Sequence, residues 1–191
     1  LGDVYKRQAE ACAEAGAEVT LVAGPVSLTT SHASIHRVDV ESAAEMYRAA
    51  VDAYDRADAA IMCAAVADYA PETVSDVKLK RSGDERVLRL KPNPDIAAEL
   101  GRRKRPGQCL VGFALETNDE ESNARLKMEK KNLDFIVLNS LRDAGAGFRC
   151  DTNKVTVIGR EGEPVEIPCK LKTEVAADIV DILARYLTDS H

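Results

Sequence analysis

The chain has 191 residues, of which 45% are hydrophobic and 30% are charged, and its formal net charge is −6. This length suits one domain with a buried core. No apolar run reaches the ~18–20 residues that a bilayer-spanning helix needs, and we expect no signal peptide, so the predicted location is the cytoplasm. The negative charge argues against general binding to nucleic acid.

Cysteine and histidine spacing gives no sign of a metal centre. The five cysteines, at positions 12, 63, 109, 150 and 169, show no CxxC pair or other zinc-ligand spacing. Those at 63 and 109 lie in apolar runs, where a free cysteine is usually a small core residue, so a reducing compartment is the simplest interpretation. The three histidines lack metal-ligand partners, and no Ser/His/Asp set emerges.

Positive charge is concentrated in one part of the chain. Lys78–Lys131 contains 14 Lys and Arg against 9 Asp and Glu, a net of +5, which leaves −11 for the remainder. A cationic stretch in an acidic protein favours a small anionic ligand over a long polyanion. Solvated surface faces are the alternative, and we expect Arg102–Arg105 to be one.

Short apolar runs alternate with helical patterns along the chain. This alternation predicts an α/β fold, a three-layer Rossmann-like domain around a mostly parallel sheet. The predicted strands are Glu18–Ala23, Ile35–Val40, Asp58–Val66, Gln108–Leu115, Asp134–Asn139, Lys154–Gly159 and Val165–Pro168, the last closing a hairpin.

Start and stop signals mark the helices. They are, in chain order, Gly16 closing a helix over about Gln8–Ala15, the capping box Ser42/Glu45, the series Asn93–Pro94–Asp95, the capping box Thr117/Glu120, and apolar positions 176, 179, 180, 183 and 187. In the series that begins at Asn93, asparagine is predicted to cap the helix, with proline at the first helical position and aspartate in the first turn.

Residues 77–91 differ from their surroundings. Val77–Arg81 and Arg86–Lys91 alternate apolar and polar residues around a turn-like Ser82–Glu85, which predicts a β-hairpin with Lys78 on its polar face. Such an insert can act as a flap over a site. A plain surface hairpin would show the same pattern.

Four segments are candidates for a site, because ligands of open α/β sheets bind at the carboxyl ends of the strands. In Cys63–Tyr69, small residues let a ligand approach the backbone, and Asp68 can hold a hydroxyl, an amine or a metal, although an acid capping a turn would look the same. Asn93–Ala97 offers free helix N–H groups to an anion or a base.

The other two segments carry an aromatic residue and a pair of cations. Phe113, at a strand end, can stack on a ligand or belong to the core. Lys127 and Lys131 lie on one helix face, where two cations fit a polyphosphate or simply face solvent.

Five motifs together resemble the bacterial phosphopantothenate–cysteine ligase family, over about Ala9–Tyr186. They are AAVADY (64–69), KLKR (78–81), KPNPDI (91–96), GFALET (112–117) and KMEKKNLDFIVLN (127–139), in the family's order. The resemblance implies ligation of cysteine to 4′-phosphopantothenate in coenzyme A biosynthesis, with CTP and Mg²⁺, through an acyl-cytidylate intermediate.

The resemblance also implies which residues form the site. Lys78 would be the catalytic flap lysine, associated with acyl-cytidylate formation. Residues 94–97 would read the cytosine, and the two lysines of the 127–139 motif would bind phosphate. No metal ligand is implied. The CTP-binding residues would be Ala64, Ala65, Asp68, Pro94, Asp95, Ile96, Ala97, Phe113, Lys127 and Lys131.

The family also implies partners. The expected ones are small-molecule substrates (CTP, 4′-phosphopantothenate and cysteine) and a second copy of the chain in a homodimer, with no nucleic acid and no membrane. This unit is commonly fused to a flavin-dependent decarboxylase, and we expect no flavin on this chain.

The amino terminus departs from the family pattern. Residues 1–8 match neither the family's first strand nor its Asn-containing loop, so we expect an unmatched stretch at 1–8 and a ligase domain over 9–191 without those elements. We therefore expect an intact nucleotide half, but poor stability and weak activity of the chain as it stands.

Two other functions remain open. An NAD(P)-binding Rossmann oxidoreductase would need an acid to hold the adenosine ribose, and the strand ending at Ala23 runs into Gly24–Pro25–Val26 instead. A non-catalytic nucleotide-binding or dimerisation module would bind CTP without releasing pyrophosphate.

Overall fold

The structure is a computed structural model. It describes residues 2–78, 80, 83, 87–116, 120–140 and 151–189, without the side chains of residues 2, 3, 116 and 140. In these ranges, no helix is both long and apolar enough to cross a bilayer.

Nine strands lie in the described ranges. They are β1 (Val19–Ala23), β2 (Ile35–Asp39), β3 (Ala59–Met62), β4 (Tyr69–Pro71), β5 (Leu90–Pro92), β6 (Cys109–Glu116), β7 (Phe135–Ser140), β8 (Thr152–Gly159) and β9 (Val165–Leu171). The main sheet has the order β3–β6–β7–β8–β9, parallel from β3 to β7 and antiparallel beyond. β1 and β2 form a separate parallel pair, and β4 and β5 an antiparallel one.

Helices cover both faces of the main sheet. They are α1 (Gly2–Glu14), α2 (Ala43–Tyr54), α3 (Ile96–Arg103), α4 (Glu120–Lys130) and α5 (Lys172–Asp189). Helices α2, α3 and α4 share a core with Leu110 and Ala114, while α5 packs on Cys109 and Val111. Because neighbouring residues of β6 point to opposite faces, one central strand serves both cores. The predicted three-layer α/β fold is confirmed.

The first two helices can be compared with the start and stop signals predicted from the sequence. Helix α1 begins at Gly2, not near Gln8, and a Lys6–Glu10 ion pair of 3.1 Å supports its early turns. It ends before Gly16, whose φ of 93° favours glycine, as predicted. The capping box of α2 is confirmed, because the Glu45 N–H donates to Ser42 Oγ and the Ser42 N–H donates to Glu45 Oε2. Thr117, of the other predicted box, lies outside the described residues.

Among its described residues, the predicted hairpin forms strands only at its base. Strand pairing joins Tyr69–Pro71 to Leu90–Pro92, and the described residues of Val77–Arg81 form no strand. Three residues of the predicted strands, at 79, 81 and 86, and most of the predicted turn lie outside the described ones. The alternating pattern was misleading because its apolar side chains have no core to face: Val77 is 71% exposed and Val87 is 89% exposed.

A buried carboxylate fixes the amino-terminal edge of the main sheet. Asp134, 5% exposed, accepts hydrogen bonds from the Leu110 N–H at 2.8 Å and from Lys104 Nζ at 2.7 Å. Arg160 Nε lies 3.2 Å from the same carboxylate. The expectation that Arg102–Arg105 would be a solvated run is therefore wrong for Lys104, because burial with Asp134 outweighs its preference for water.

Helices α3 and α4 approach each other very closely where α3 carries a glycine. A Cβ added at Gly101 would lie 1.9 Å from the carbonyl oxygen of Lys131. The adjacent Asn132, in a left-handed conformation with φ of 53°, donates from its side chain to the Gly101 carbonyl at 2.7 Å. Only a residue without a side chain allows this backbone contact.

We predict that Gly101→Ala destabilises the protein by roughly 1–3 kcal/mol, because the methyl group must push α3 away from α4. Thermal or urea unfolding measures this change. Gly24→Ala is the matched control, since a Cβ there would only touch the end of Met46 at 3.7 Å. Equal stability of the two variants would show that the α3–α4 contact is not close in solution.

Candidate nucleotide-binding site

Two loops at the carboxyl end of the main sheet are hydrogen-bonded to each other. The Asn93 side chain donates to the Ala67 carbonyl at 2.8 Å, and the Asn93 N–H donates to the Asp68 carbonyl at 2.8 Å. The segment that follows β3 is thereby held beside the start of α3. Ala64, Ala65 and the Asp68 carboxylate belong to this segment and are exposed.

The start of α3 differs from the prediction in its capping residue. Asp95, not Asn93, is the N-cap: its Oδ1 accepts the Ala98 N–H at 3.1 Å, and its backbone is extended with φ of −77° and ψ of 101°. Pro94 therefore precedes the cap, and Ile96 begins the helix. The prediction failed because both Asn93 and Asp95 are good caps, and Asn93 is engaged with the neighbouring loop.

Lys131 reaches from the end of α4 to this helix start. Its Nζ lies 3.0 Å from Asp95 Oδ2, and its side chain is 23% exposed. Burial alone would raise the pKa of Asp95, but hydrogen bonds from Ala98 and Lys131, with the charges of Lys131 and Lys130, outweigh it and lower that pKa. The carboxylate therefore stays ionised well into the acidic range.

Three parts of the predicted site are therefore linked to one another in the structure. Asp68, residues 94–97 and Lys131 are linked by contacts through Asn93 and Asp95. Ile96 is buried in the core below, and Pro94 is exposed above it. Lys127, half-buried, lies one turn before Lys131 on α4, as its spacing predicted.

Phe113 lies on the other side of β6 from this group. It packs with the core of α5, whereas the next residue, Ala114, faces α3 and α4. A small cavity of about 20 Å³ adjoins Phe113, with the buried amides of Gln8 and Asn153 in its wall. The structure therefore does not join Phe113 to Lys131 through any contact among the described side chains.

Lys78 has no hydrogen bond or ion pair with the described residues of the linked group. It is exposed, ten positions after Asp68, in the segment between β4 and β5. Within the described ranges, no three His, Cys, Asp or Glu side chains are grouped so that they could hold a metal ion.

Sequence reasoning missed two residues that shape this place. The Asn93 side chain ties the two loops together, and Gly101 lets Lys131 approach α3. A glycine inside a helix pattern is a signal of close backbone approach and could have indicated Gly101. Nothing in the spacing distinguishes Asn93 as a loop bridge from Asn93 as a cap.

The described groups can bind an anion beside a polar base. A helix start supplies N–H groups and a positive field, and one lysine, with a second a turn away, supplies mobile charge. Ala64 and Ala65 are exposed and have small side chains, which lets a ligand approach their backbone. No nucleophile or general base is required for such binding.

Known proteins resemble this chain in sequence over most of its length. The model of the family described as "DNA/pantothenate metabolism flavoprotein C-terminal domain" matches residues 6–187. A curated protein named cysteine/cysteine sulfinic acid decarboxylase, from an unknown prokaryotic organism, is 55% identical over 90% of this chain and 48% of its own length. The coenzyme A biosynthesis bifunctional protein CoaBC of Bacillus subtilis is 44% identical over 92% of this chain and 43% of its own length.

Solved structures share the fold. The C-terminal domain of a CoaBC protein superimposes with a TM-score of 0.79 at 37% identity, over 97% of this chain and 82% of that chain. A DNA/pantothenate metabolism flavoprotein from Streptococcus pneumoniae gives 0.77 at 20% identity, over 96% and 88% of the two chains, which shows the fold alone. The chain spans about half the length of the curated relatives it matches.

Proposed function

Since this chain belongs to the DNA/pantothenate metabolism flavoprotein C-terminal domain family, we propose that it is a phosphopantothenate–cysteine ligase domain that uses CTP. One structural observation carries the proposal: Lys131, the start of α3 and the Asp68 segment are joined by direct contacts at one edge of the sheet. Relatives named for coenzyme A biosynthesis support the same reaction class. The homologue named as a decarboxylase is matched over 48% of its length, so the activity in its name need not belong to this half.

The proposed reaction has two steps. A carboxylate oxygen of 4′-phosphopantothenate attacks the α-phosphorus of CTP, the bond to the β-phosphate oxygen breaks, and pyrophosphate leaves. The cysteine amine then attacks the acyl carbon of the acyl-cytidylate, expels CMP and loses a proton to form the amide. Mg²⁺ enters with CTP as part of the substrate.

Charge explains why the first step needs this group of residues. An anionic carboxylate must approach a polyanionic triphosphate, so positioned cations lower the barrier. Lys127 and Lys131 would hold the phosphates, and residues 94–97 would contact the cytosine beside Ala64 and Ala65. Phe113 lies on the other face of β6, so it would reach a nucleotide only at the carboxyl end of that strand.

The reaction itself is tested by pyrophosphate release. We expect release with CTP, 4′-phosphopantothenate and Mg²⁺ together, and little release when ATP replaces CTP or when the acid is omitted. A coupled phosphate assay measures the rate. CTP binding without any release would favour the non-catalytic module, and binding of NAD(P) but not of CTP would favour the oxidoreductase.

Lys78 is the proposed catalytic residue because an exposed segment can bring its charge to the acyl phosphate after binding. We predict that Lys78→Ala slows acyl-cytidylate formation by ~10²-fold or more and leaves CTP affinity nearly unchanged. Rapid-quench measurement of the first turnover, with calorimetry for CTP, separates the two effects. Lys80→Ala is the matched control in the same segment, and an equal loss in both variants would contradict the specific role.

A homodimer through the segment between β4 and β5 is part of the proposal. Apolar side chains of this segment are strongly exposed, which a single copy does not explain. A second copy would bury them with their own counterparts, as a two-fold contact does. The residues are Tyr69, Val74, Val77, Val87, Leu88 and Leu90.

We predict that Val87→Asp shifts the protein from dimer to monomer, because an unpaired charge would have to be buried in the contact. Sedimentation equilibrium measures the change. Val165→Asp is the control, since Val165 is exposed too, at 50%, but lies on β9, at the far edge of the sheet. A monomeric parent protein, or equal dissociation of both variants, would exclude this dimer.

A further inference from the structure

Asp95 already forms an ion pair with Lys131, the cation that the proposed function assigns to a phosphate. One of its oxygens accepts the Ala98 N–H at 3.1 Å, and the other lies 3.0 Å from Lys131 Nζ. A helix-start N–H and a lysine ammonium are the groups that proteins use to bind phosphate. Asp95 is therefore an internal anion that is held by an anion-binding set of donors.

The pair lies where a ligand can reach it. The Asp95 side chain is 47% exposed and that of Lys131 is 23% exposed. Ion pairs with this much solvent contact contribute at most about 1 kcal/mol, so a triphosphate that carries several charges can displace one. By contrast, the Lys104–Asp134 pair is nearly buried, with side chains 12% and 5% exposed, and serves the sheet edge.

We propose that Asp95 is an exchangeable anion: it holds Lys131 in the ligand-free protein and releases it to a phosphate of the bound nucleoside triphosphate. The inference rests on the proposed function for the identity of that ligand. Asp95 is a positioning residue in this exchange, since it acts through Lys131. It keeps a flexible side chain aimed at the helix start, and its negative charge weakens the binding of any polyanion there.

If Asp95 competes with a phosphate for Lys131, then removing the charge of Asp95 should strengthen phosphate binding. Asp95→Asn removes the competing charge but keeps a side-chain oxygen for the cap, because asparagine caps helices about as well as aspartate. We expect the variant to bind inorganic tripolyphosphate about threefold to tenfold more tightly than the parent protein. If Asp95 only supported the helix, this substitution would leave the affinity for tripolyphosphate unchanged or lower it.

Glu99→Gln is the matched control. Glu99 lies one turn further along α3 and pairs with Arg102 and Arg103 at 2.7 and 2.6 Å, not with Lys131. The substitution removes the same charge from the same helix. We expect its effect on tripolyphosphate affinity to be less than about twofold, since solvent screens a charge that lies away from the bound anion.

A double-mutant cycle isolates the pair. Tripolyphosphate is titrated by calorimetry into the parent protein, Asp95→Asn, Lys131→Met and the double variant, with thermal unfolding to check folding. We expect Lys131→Met to weaken binding and to abolish the gain from Asp95→Asn. Unchanged or weaker binding by Asp95→Asn, the same gain with methionine at 131, or no binding by the parent protein would overturn the exchange.

These outcomes are separable from failure of the ligase assignment. If tripolyphosphate shows the expected coupling but CTP and the acid release no pyrophosphate, then the exchange stands and the assigned reaction is wrong. If pyrophosphate is released normally and the cycle shows no coupling, then the reaction stands and Asp95 does not compete for Lys131.

Discussion

The backbone contact between α3 and α4 at Gly101 is the constraint on which the candidate site depends. It brings the end of α4 against α3, so that the Lys131 side chain can run along the shorter helix to Asp95 at its start. A larger interaxial distance, which most helix pairs need for their side chains, would leave the lysine short of the cap. The polar side chain of Asn132, bonded to the Gly101 carbonyl, fixes the same contact from the other side.

Three carboxylates near this contact pair with different basic residues, and each of these pairs has a different role. Asp134 is buried with Lys104 and holds the edge of the sheet together. Glu99 is paired with two arginines on the surface of α3, and their hydrogen bonds lower its pKa to about 2. Asp95 alone faces the place where the loops of the site meet. The excess of positive charge in this region therefore could not by itself say which cations are free to bind a ligand.

The elements of the fold could be predicted from the sequence, because apolar periodicity and the Ser42–Glu45 capping box report local geometry. The pairing of Lys127 with Lys131 on one helix face follows in the same way. The link from Lys131 to Asp95 could not be predicted, since it depends on how two helices pack. The hairpin prediction was inaccurate for a related reason. Alternation of apolar and polar residues indicates a strand only where one face packs against other residues, and Val87 is 89% exposed.

The proposed reaction needs two kinds of group: groups that bind the nucleotide, and a group that stabilises charge only as the acyl phosphate forms. A group that binds the nucleotide should be rigid, and the start of α3 is anchored by buried Ile96 and Leu100. A group that stabilises charge only as the acyl phosphate forms should arrive late, so that it does not bind the ground state equally well. Lys78, on a segment whose described residues are exposed and pair as strands at its base, suits that second role. In the proposed chemistry, the group around Lys131 binds the nucleotide, and Lys78 adds its charge only as the acyl phosphate forms.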